Sequence, residues 1–207
     1  MANDIKLQKV NQEYHMQIVI SQIQPHFMFN ALTTIQYLCK TDPDLASKAT
    51  NKFAKYIRTN MDSLNNDRPI TFNEELEHLE NYLFIEKLRY GDRLTIKYDI
   101  QITKFKLPVL TIQPLVENAM RHGISKRDEG GVIVISTYED DVNIYVSVAD
   151  NGVGFDTTKV KEKKDGRSHI GIENVRERVK FMCNGTLTIE SEIGRGTKAI
   201  ICLPVEE

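Results

Sequence analysis

The chain has 207 residues, which suits one or two domains, and its 41% hydrophobic residues can form a buried core. The 27 Lys and Arg residues nearly balance the 29 Asp and Glu residues, which excludes a broad basic face for nucleic acid or an anionic membrane. Three scattered cysteines without a CxxC pair indicate neither a disulfide framework nor a zinc site. Since no apolar run reaches the roughly 18 residues of a membrane helix, we expect a soluble intracellular chain.

The first 66 residues predict a pair of helices. Apolar residues three and four positions apart indicate a first helix that starts near residue 4 and includes Met16, Ile20, Ile23 and Phe27. A second helix should begin with Asp42 as its N-cap and Pro43 at its first position, and should end near Asn65. Two amphipathic helices joined by a short turn form an antiparallel hairpin.

A lone hairpin leaves one apolar face uncovered. We therefore expect two copies of the chain to pair into a four-helix bundle, which makes the protein a homodimer. The predicted contact layers are Ile20, Ile23, Phe27, Ile35, Phe53, Ile57 and Leu64.

From residue 68 onward the pattern changes to mixed helix and strand. Thr71 and Glu74 fit a capping box that opens a helix ending near Tyr90. Two further helices are expected near Leu110–His122 and Ile172–Phe181. Five strands are expected at Leu94–Ile100, Val132–Tyr138, Val142–Ala149, Thr186–Ser191 and Lys198–Leu203. The predicted fold class is therefore α+β, with a helical unit over residues 1–67 and an α/β sandwich over residues 68–207.

Two short motifs in the second unit carry side chains suited to bind a nucleotide. Asn118 and Arg121 are three positions apart on one edge of a predicted helix, with His122 beside them. An Asn amide oxygen can bind Mg²⁺, and an Arg can donate to phosphate oxygens. Asp150 ends an apolar strand and can accept from an exocyclic amino group, while Gly152 and Gly154 would let a flat ring approach the backbone.

Two further motifs follow in order. Gly171 and Ile172 stand at the predicted start of a helix, whose N-terminal amides suit phosphate. Thr197 closes a Gly-Arg-Gly-Thr segment between the last two predicted strands. Each motif alone is weak, because an isolated Asp-Asn-Gly segment is usually only a turn and a Gly before a helix is usually only a cap.

Together, the four ordered motifs resemble the N, G1, G2 and GT boxes of the Bergerat ATP-binding fold. The resemblance implies that ATP and Mg²⁺ are the cofactors and that Asn118 coordinates the metal. It further implies that Arg121 contacts phosphate and that Asp150 reads the adenine amino group with the support of Thr197. The other implied nucleotide-site residues are His122, Gly152, Gly154, Gly171 and Ile172, and the Lys-rich stretch Asp156–Ser168 is the implied lid.

The segment around His26, Gln-Pro-His-Phe-Met-Phe-Asn, resembles the phospho-acceptor region of LytS/YehU-type sensor histidine kinases. A lone histidine on a helix usually has no special role. Here His26 lies about a quarter turn from the apolar stripe, so its ring can reach solvent, and Asn30 one turn later could orient the imidazole. The resemblance covers residues 20–205 and implies that His26 and Asn30 are catalytic.

This resemblance implies the cytoplasmic portion of a bacterial inner-membrane sensor, with the upstream sensor or membrane region absent from this chain. The expected activity is autophosphorylation of a histidine followed by transfer to an aspartate of a response regulator, for which the LytTR type is the candidate, with no nucleic acid partner. Hydrolytic relatives carry a water-activating Glu where this chain has Pro114, which favours transfer over hydrolysis. The alternative is an ATP-responsive dimeric scaffold that has lost phosphoryl transfer.

Overall fold

The computed structural model describes residues 25–63, 68–157 and 168–205. The chain divides into two compact units. The first combines Met1–Asp67 with Asn81–Arg89, and the second combines Arg68–Glu80 with Tyr90–Glu207.

The first unit contains the predicted helical hairpin. Helix α1 runs Pro25–Thr41 and helix α2 runs Pro43–Asp62. Asp42 is the N-cap of α2, and its Oδ1 accepts from the Leu45 N–H at 2.9 Å. The part of the first helix predicted upstream of Pro25 lies outside the described residues.

An aromatic cluster joins the helices of this unit. Phe27 of α1 contacts Tyr56 of α2 and Tyr82, with ring centroids 4.7 and 4.8 Å apart, and Phe53 packs beside them. Phe27 is therefore buried inside one chain, so its prediction as a dimer contact is wrong. Because a following helix supplies Tyr82, the hairpin is already partly covered within the chain. Of the other predicted contacts, Ile20, Ile23 and Leu64 lie outside the described residues.

The second unit begins with a two-residue strand β1, Ile70–Thr71, and helix α3, Phe72–Tyr90, whose later half belongs to the first unit. The predicted capping box at its start is confirmed. The Thr71 N–H donates to Glu74 Oε2 at 2.8 Å, and the Glu74 N–H donates to Thr71 Oγ1 at 3.3 Å.

A five-stranded sheet forms the body of the second unit. Its strands are β2 (Leu94–Ile100), β4 (Gly131–Glu139), β5 (Asn143–Asp150), β6 (Thr186–Glu192) and β7 (Gly196–Pro204), in the spatial order β2-β4-β5-β7-β6. The β2–β4 pair is parallel and the other pairs are antiparallel. All five predicted strands are confirmed to within two residues at each end. Strand β3, Lys106–Leu107, pairs with β1 and was not predicted.

Two helices complete this unit. Helix α4 runs Ile112–Asn118 and continues into a π-helical turn, Ala119–Gly123. Helix α5 runs Ser168–Cys183 and contacts β6 and β7. The core lies between these helices and one face of the sheet, with fully buried side chains that include Ile112, Val116, Ile133, Ile135, Val146, Val175, Val179 and Ile201.

Candidate functional sites

Asp150 stands at the end of β5, where the sheet meets the turn after α4. Its Oδ1 accepts from the Gly152 N–H at 2.8 Å, and the Thr197 backbone N–H also donates to the carboxylate. Burial raises the pKa of Asp150, and these two backbone donors oppose that rise. The carboxylate is thus held in a fixed orientation but keeps acceptor capacity for a ligand.

Glycines surround this carboxylate closely. A Cβ on Gly123 would lie 2.5 Å from Asp150 Oδ1, and one on Gly152 would lie 2.2 Å from the Gly123 Cα. Gly196 has φ +101°, and a Cβ there would lie 1.9 Å from the Asp150 carbonyl oxygen. Because no side chain fits at these three positions, the backbone itself forms the wall around Asp150.

The sheet register places Thr197 beside Asp150. Asp150 pairs with Thr197 on β7, and Thr197 pairs with Ser191 on β6, so the three side chains share one face of the sheet. Ser191 Oγ lies 3.0 Å from Thr197 Oγ1 and accepts from the Phe155 N–H at 2.9 Å. An open recess of about 400 Å³ borders these residues.

Asn118 is the last residue of α4, and its side chain is anchored to the helix. Its Nδ2 donates to the Pro114 carbonyl at 2.8 Å, so the amide oxygen is the atom that can serve a cation. Arg121 and His122 lie in the π-helical turn, where Arg121 is exposed and His122 is half-buried. The sequence predicted Asn118 and Arg121 on one edge of a regular helix, whereas in the structure the α-helix ends at Asn118 and Arg121 lies in the π-helical turn.

The amide oxygen of Asn118 fits Mg²⁺ better than it fits a metal ion that is held by several protein side chains. In the parts of the chain that the structure describes, no cluster of three or more His, Cys, Asp or Glu side chains could hold a metal ion. Mg²⁺ at nucleotide sites commonly binds one or two protein oxygens together with substrate phosphates and water. The amide oxygen of Asn118 suits that role.

The start of α4 is fixed by two residues that the sequence did not reveal. Glu75 of α3 accepts from the backbone N–H groups of Leu110, Thr111 and Ile112 at 2.7 to 2.8 Å. Arg178 of α5 donates to the carbonyls of Val109 and Leu110, both at 2.7 Å. The short helix that carries Asn118 is therefore clamped at its first turn.

Gly154 and Gly171, two further glycines of the predicted site, differ in their surroundings. Gly154 has φ +60°, and a Cβ there would lie 1.9 Å from the Glu192 carbonyl oxygen, which fits a tight loop beside the site. Gly171 was expected just before a helix, but α5 begins at Ser168, so Gly171 lies in its first turn, followed by Ile172. A Cβ on Gly171 would have no atom within 4 Å. The predicted lid falls mainly on residues 158–167, outside the described residues.

His26 is the second residue of α1, in the first unit. Its ring is exposed, whereas the following Phe27 is buried. The Asn30 Nδ2 lies 3.2 Å from Nδ1 and 3.3 Å from Nε2 of the imidazole. The structure thus brings His26 and Asn30 together as the sequence predicted.

A larger cavity of about 710 Å³ lies at the opposite end of the sheet. It is bordered by Lys104, Lys106, Glu139, Cys183 and Leu203, among others. None of the residues of the four nucleotide motifs lines it. Asp150 and Thr197, which come from two of these motifs, line the smaller recess, so that recess is the better candidate for the nucleotide site.

Two wall residues, Gly123 and Gly196, were missing from the predicted site. Gly196 stands next to Thr197 in the quoted Gly-Arg-Gly-Thr segment, so local sequence could have identified it. Gly123 ends the π-helical turn and meets Asp150 only through the tertiary fold. No local pattern marks that contact.

Comparison with known proteins gives two family matches. The family described as "Histidine kinase" matches residues 14–94, and the family described as "Histidine kinase-, DNA gyrase B-, and HSP90-like ATPase" matches residues 106–207. Among solved structures, the histidine kinase domain of a blue-light activated histidine kinase from Erythrobacter litoralis has a TM-score of 0.51 at 12% identity, over 86% of this chain and 92% of that one. The mycobacterial sensor histidine kinase MprB also gives 0.51, at 16% identity, over 66% of this chain and 96% of that one.

Sequence relatives point the same way. The Bacillus subtilis protein YwpD is 36% identical over 95% of this chain and 73% of its own length. The sensor histidine kinase YpdA of Escherichia coli is 35% identical and the sensor protein LytS of Bacillus subtilis 30% identical, each over 96% of this chain. The chain spans only 36% and 35% of those two proteins. It belongs to the histidine kinase family, with the ATP-binding fold of that family in its second unit.

Proposed function

We propose that His26 accepts the γ-phosphoryl group of ATP bound around Asp150 and then passes it to an aspartate of a response regulator. The proposal rests mainly on one observation. The chain carries an exposed histidine beside Asn30 in one unit and a glycine-walled carboxylate in the other. These are an acceptor and a nucleotide site within a single chain.

Each site residue then has a specific role in binding. Asp150 accepts from the adenine amino group, while the Thr197 N–H keeps the carboxylate oriented. Asn118 offers its amide oxygen to Mg²⁺, and Arg121 and His122 lie one turn on, where phosphate oxygens would follow. Catalysis is then mainly positioning and neutralisation of phosphate charge.

The α4 region favours transfer over hydrolysis. The position one turn before Asn118 is Pro114, which has no side-chain base, and its carbonyl accepts from Asn118. Glu117 accepts from Gln113 Nε2 at 2.9 Å, back along the helix. Pro114 therefore supplies no base for a water molecule, and the Glu117 carboxylate is engaged by Gln113.

Histidine kinases generally act as dimers and signal to response regulators. For this chain we propose a homodimer with a response regulator of the LytTR type as its partner. None of the helices among the described residues combines the length and the hydrophobicity of a membrane span. Because the chain spans about a third of YpdA and LytS, we further propose that it acts as the cytoplasmic portion of a longer membrane sensor.

The decisive experiment is phosphorylation with γ-³²P ATP. The full chain should acquire a label that resists base and is lost in acid, as a P–N bond requires. The His26→Gln variant should lose that label but bind ATP with nearly unchanged affinity, while the control His15→Gln should keep it. Persistent acid-labile label on His26→Gln would exclude His26. ATP binding without any label on the wild-type chain would favour the scaffold alternative.

A further inference from the structure

The hydroxyl group of Ser191 has three hydrogen-bond partners beside the smaller recess. Its Oγ lies 2.9 Å from the Gly196 carbonyl oxygen, 2.9 Å from the Phe155 nitrogen and 3.0 Å from Thr197 Oγ1. Phe155 lies in the loop after Asp150, and the other two partners begin β7. One side chain of β6 thus joins the two segments that carry the predicted base-reading residues.

These three partners fix the direction of each hydrogen bond. The Gly196 carbonyl can only accept, so the single hydroxyl proton of Ser191 goes to it. The Phe155 N–H can only donate, and it occupies one lone pair of Ser191 Oγ. In the remaining contact the Thr197 hydroxyl therefore donates and Ser191 accepts. Because the Thr197 proton is committed in this way, only its lone pairs remain for a ligand.

The recess then presents two acceptors to a base. Asp150 and Thr197 are paired across β5 and β7, and both line the recess. The Asp150 carboxylate receives two backbone N–H groups, which is the environment of an acceptor. The exocyclic amino group of adenine carries two N–H donors, one for each acceptor. A carbonyl oxygen at the same place on the ring would face two acceptors without a proton between them.

We propose that Ser191 is a positioning residue that makes the nucleotide site select a 6-amino purine over a 6-oxo purine. It acts through Thr197, whose hydroxyl it holds as an acceptor. The Asp150 carboxylate alone discriminates poorly, because the N1–H of a 6-oxo purine can also donate to a carboxylate. A site that matches the hydrogen-bonding groups of one ligand rejects an analogue that leaves them unpaired. This inference rests on the proposed nucleotide site around Asp150.

Titration calorimetry of the full chain with Mg-ADP and Mg-IDP measures this selection. The two nucleotides differ only at the purine edge, and neither can transfer a γ-phosphoryl group. The wild-type chain should prefer ADP. Ser191→Ala frees the Thr197 proton to donate to the 6-oxo group, so the ratio of ADP to IDP affinity should fall on the order of 5- to 150-fold, the range for one buried unsatisfied polar group. An unchanged ratio would overturn the proposal.

The affinity ratio separates selection of the base from a purely structural role. Loss of the Ser191 hydroxyl also removes the acceptor of the Phe155 N–H, and a loosened loop should weaken both nucleotides equally. The control Thr188→Ala removes an exposed hydroxyl from the other face of β6 and should keep the wild-type ratio. Equal losses of ADP and IDP affinity in Ser191→Ala would show that the hydroxyl only supports the loop, which contradicts the proposal.

A second variant tests the route through Thr197 and does not depend on the folding of Ser191→Ala. Thr197→Val removes the hydroxyl at nearly the same shape and should also lower the ratio, because ADP loses an acceptor and IDP loses an opposing one. Ser191→Ala added to Thr197→Val should change the ratio no further, and an additional fall would contradict the proposal. If the wild-type chain binds neither nucleotide, the proposed nucleotide site fails together with this inference. Normal ADP binding with an unchanged ratio in the variants refutes this inference alone.

Discussion

At Asp150 the chain brings backbone, rather than side chains, up to a carboxylate. The sequence predicted Asp150, Gly152 and Thr197, because each lies in a short motif at a strand end. It did not predict Gly123, since that contact joins the turn after α4 to the end of β5. A local pattern can indicate the groups that bind, but not the distant residues that must be small to make room for them.

Replacement of Asp150 by Asn should weaken ATP binding. The amide would set a donor against the adenine amino donor, and a buried unsatisfied donor costs roughly 1 to 3 kcal/mol, which is about 5- to 150-fold in affinity. Titration calorimetry with ATP would measure this loss. The control is Glu190→Gln, an exposed carboxylate on the border of the same recess, which should bind ATP normally. Equal affinity of Asp150→Asn and wild type would mean that the adenine is read elsewhere.

Two Gly→Ala substitutions should act on different properties: Gly123→Ala should weaken ATP binding, and Gly171→Ala should stabilise the fold. Gly123→Ala puts a methyl group 2.5 Å from Asp150 Oδ1, so the carboxylate must move and ATP affinity should fall at least about tenfold. Gly171→Ala meets no atom within 4 Å, and in the first turn of α5 it should raise the free energy of unfolding by about 0.4 to 1 kcal/mol. Calorimetric titration and urea unfolding check the pair. Loss of ATP binding in Gly171→Ala would support the predicted pocket role of Gly171.

At the scale of elements, α4 depends on its neighbours. It has only 7 residues, too few to be stable alone, and no side chain caps its N-terminus locally. Glu75 of α3 supplies the missing acceptor for the first N–H groups. The chain also turns sharply just before the helix, where Leu110 has φ +54°. The sequence predicted a helix here from its apolar spacing, but the cap comes from a distant residue, so no local pattern could show it.

Glu75→Ala should therefore be strongly destabilising. It leaves three backbone N–H groups without their acceptor and removes a carboxylate whose charge interacts with that of Arg178, at a cost of about 3 to 5 kcal/mol. Urea unfolding of the full chain measures the change, with Glu80→Ala as the exposed control on α3. An effect below about 1 kcal/mol would contradict the clamp.

The capping box of α3 should give a pH-dependent contribution. Hydrogen bonds from Thr71 lower the pKa of Glu74 below its ordinary 4.5. A carboxyl group with a lowered folded-state pKa stabilises the fold above its unfolded pKa, and this contribution disappears as the pH falls through the folded value. Glu74→Gln should thus cost a few tenths of a kcal/mol at pH 7 and nothing once the pH is well below 4.5. Urea unfolding of both proteins from pH 7 to pH 3 tests this, and a constant difference would contradict it.

At the scale of the whole molecule, periodicity predicted both the helical hairpin and the five strands. It did not predict that Asn81–Arg89 would join the first unit. These residues continue the apolar pattern of one helix, α3, and nothing in that pattern marks where its contacts change from the sheet domain to the aromatic cluster. This segment packs on the hairpin through contacts between residues far apart in sequence, among them Tyr82 with Phe27 and Asn81 with Lys52.

Burial of Phe27 also changes which surface should form the proposed dimer. On α1, Phe29 and Leu32 are 71% and 52% exposed and stand three positions apart, so they form an apolar patch on the outside of the hairpin. Burial of each large apolar side chain is worth roughly 1.5 to 3 kcal/mol, which makes this patch the better candidate contact than Phe27.

We expect the full chain to sediment as a dimer at micromolar concentration. Leu32→Glu should shift it to monomer, because pairing would bury an unpaired charge in both copies. Val142→Glu introduces the same charge at a 65% exposed site in the turn before β5 and should remain dimeric. A wild-type monomer would refute the four-helix bundle. A dimeric Leu32→Glu would instead place the contact elsewhere, and Ile35 and Ile57, two of the predicted contacts that are half-buried in one chain, would be the next to replace.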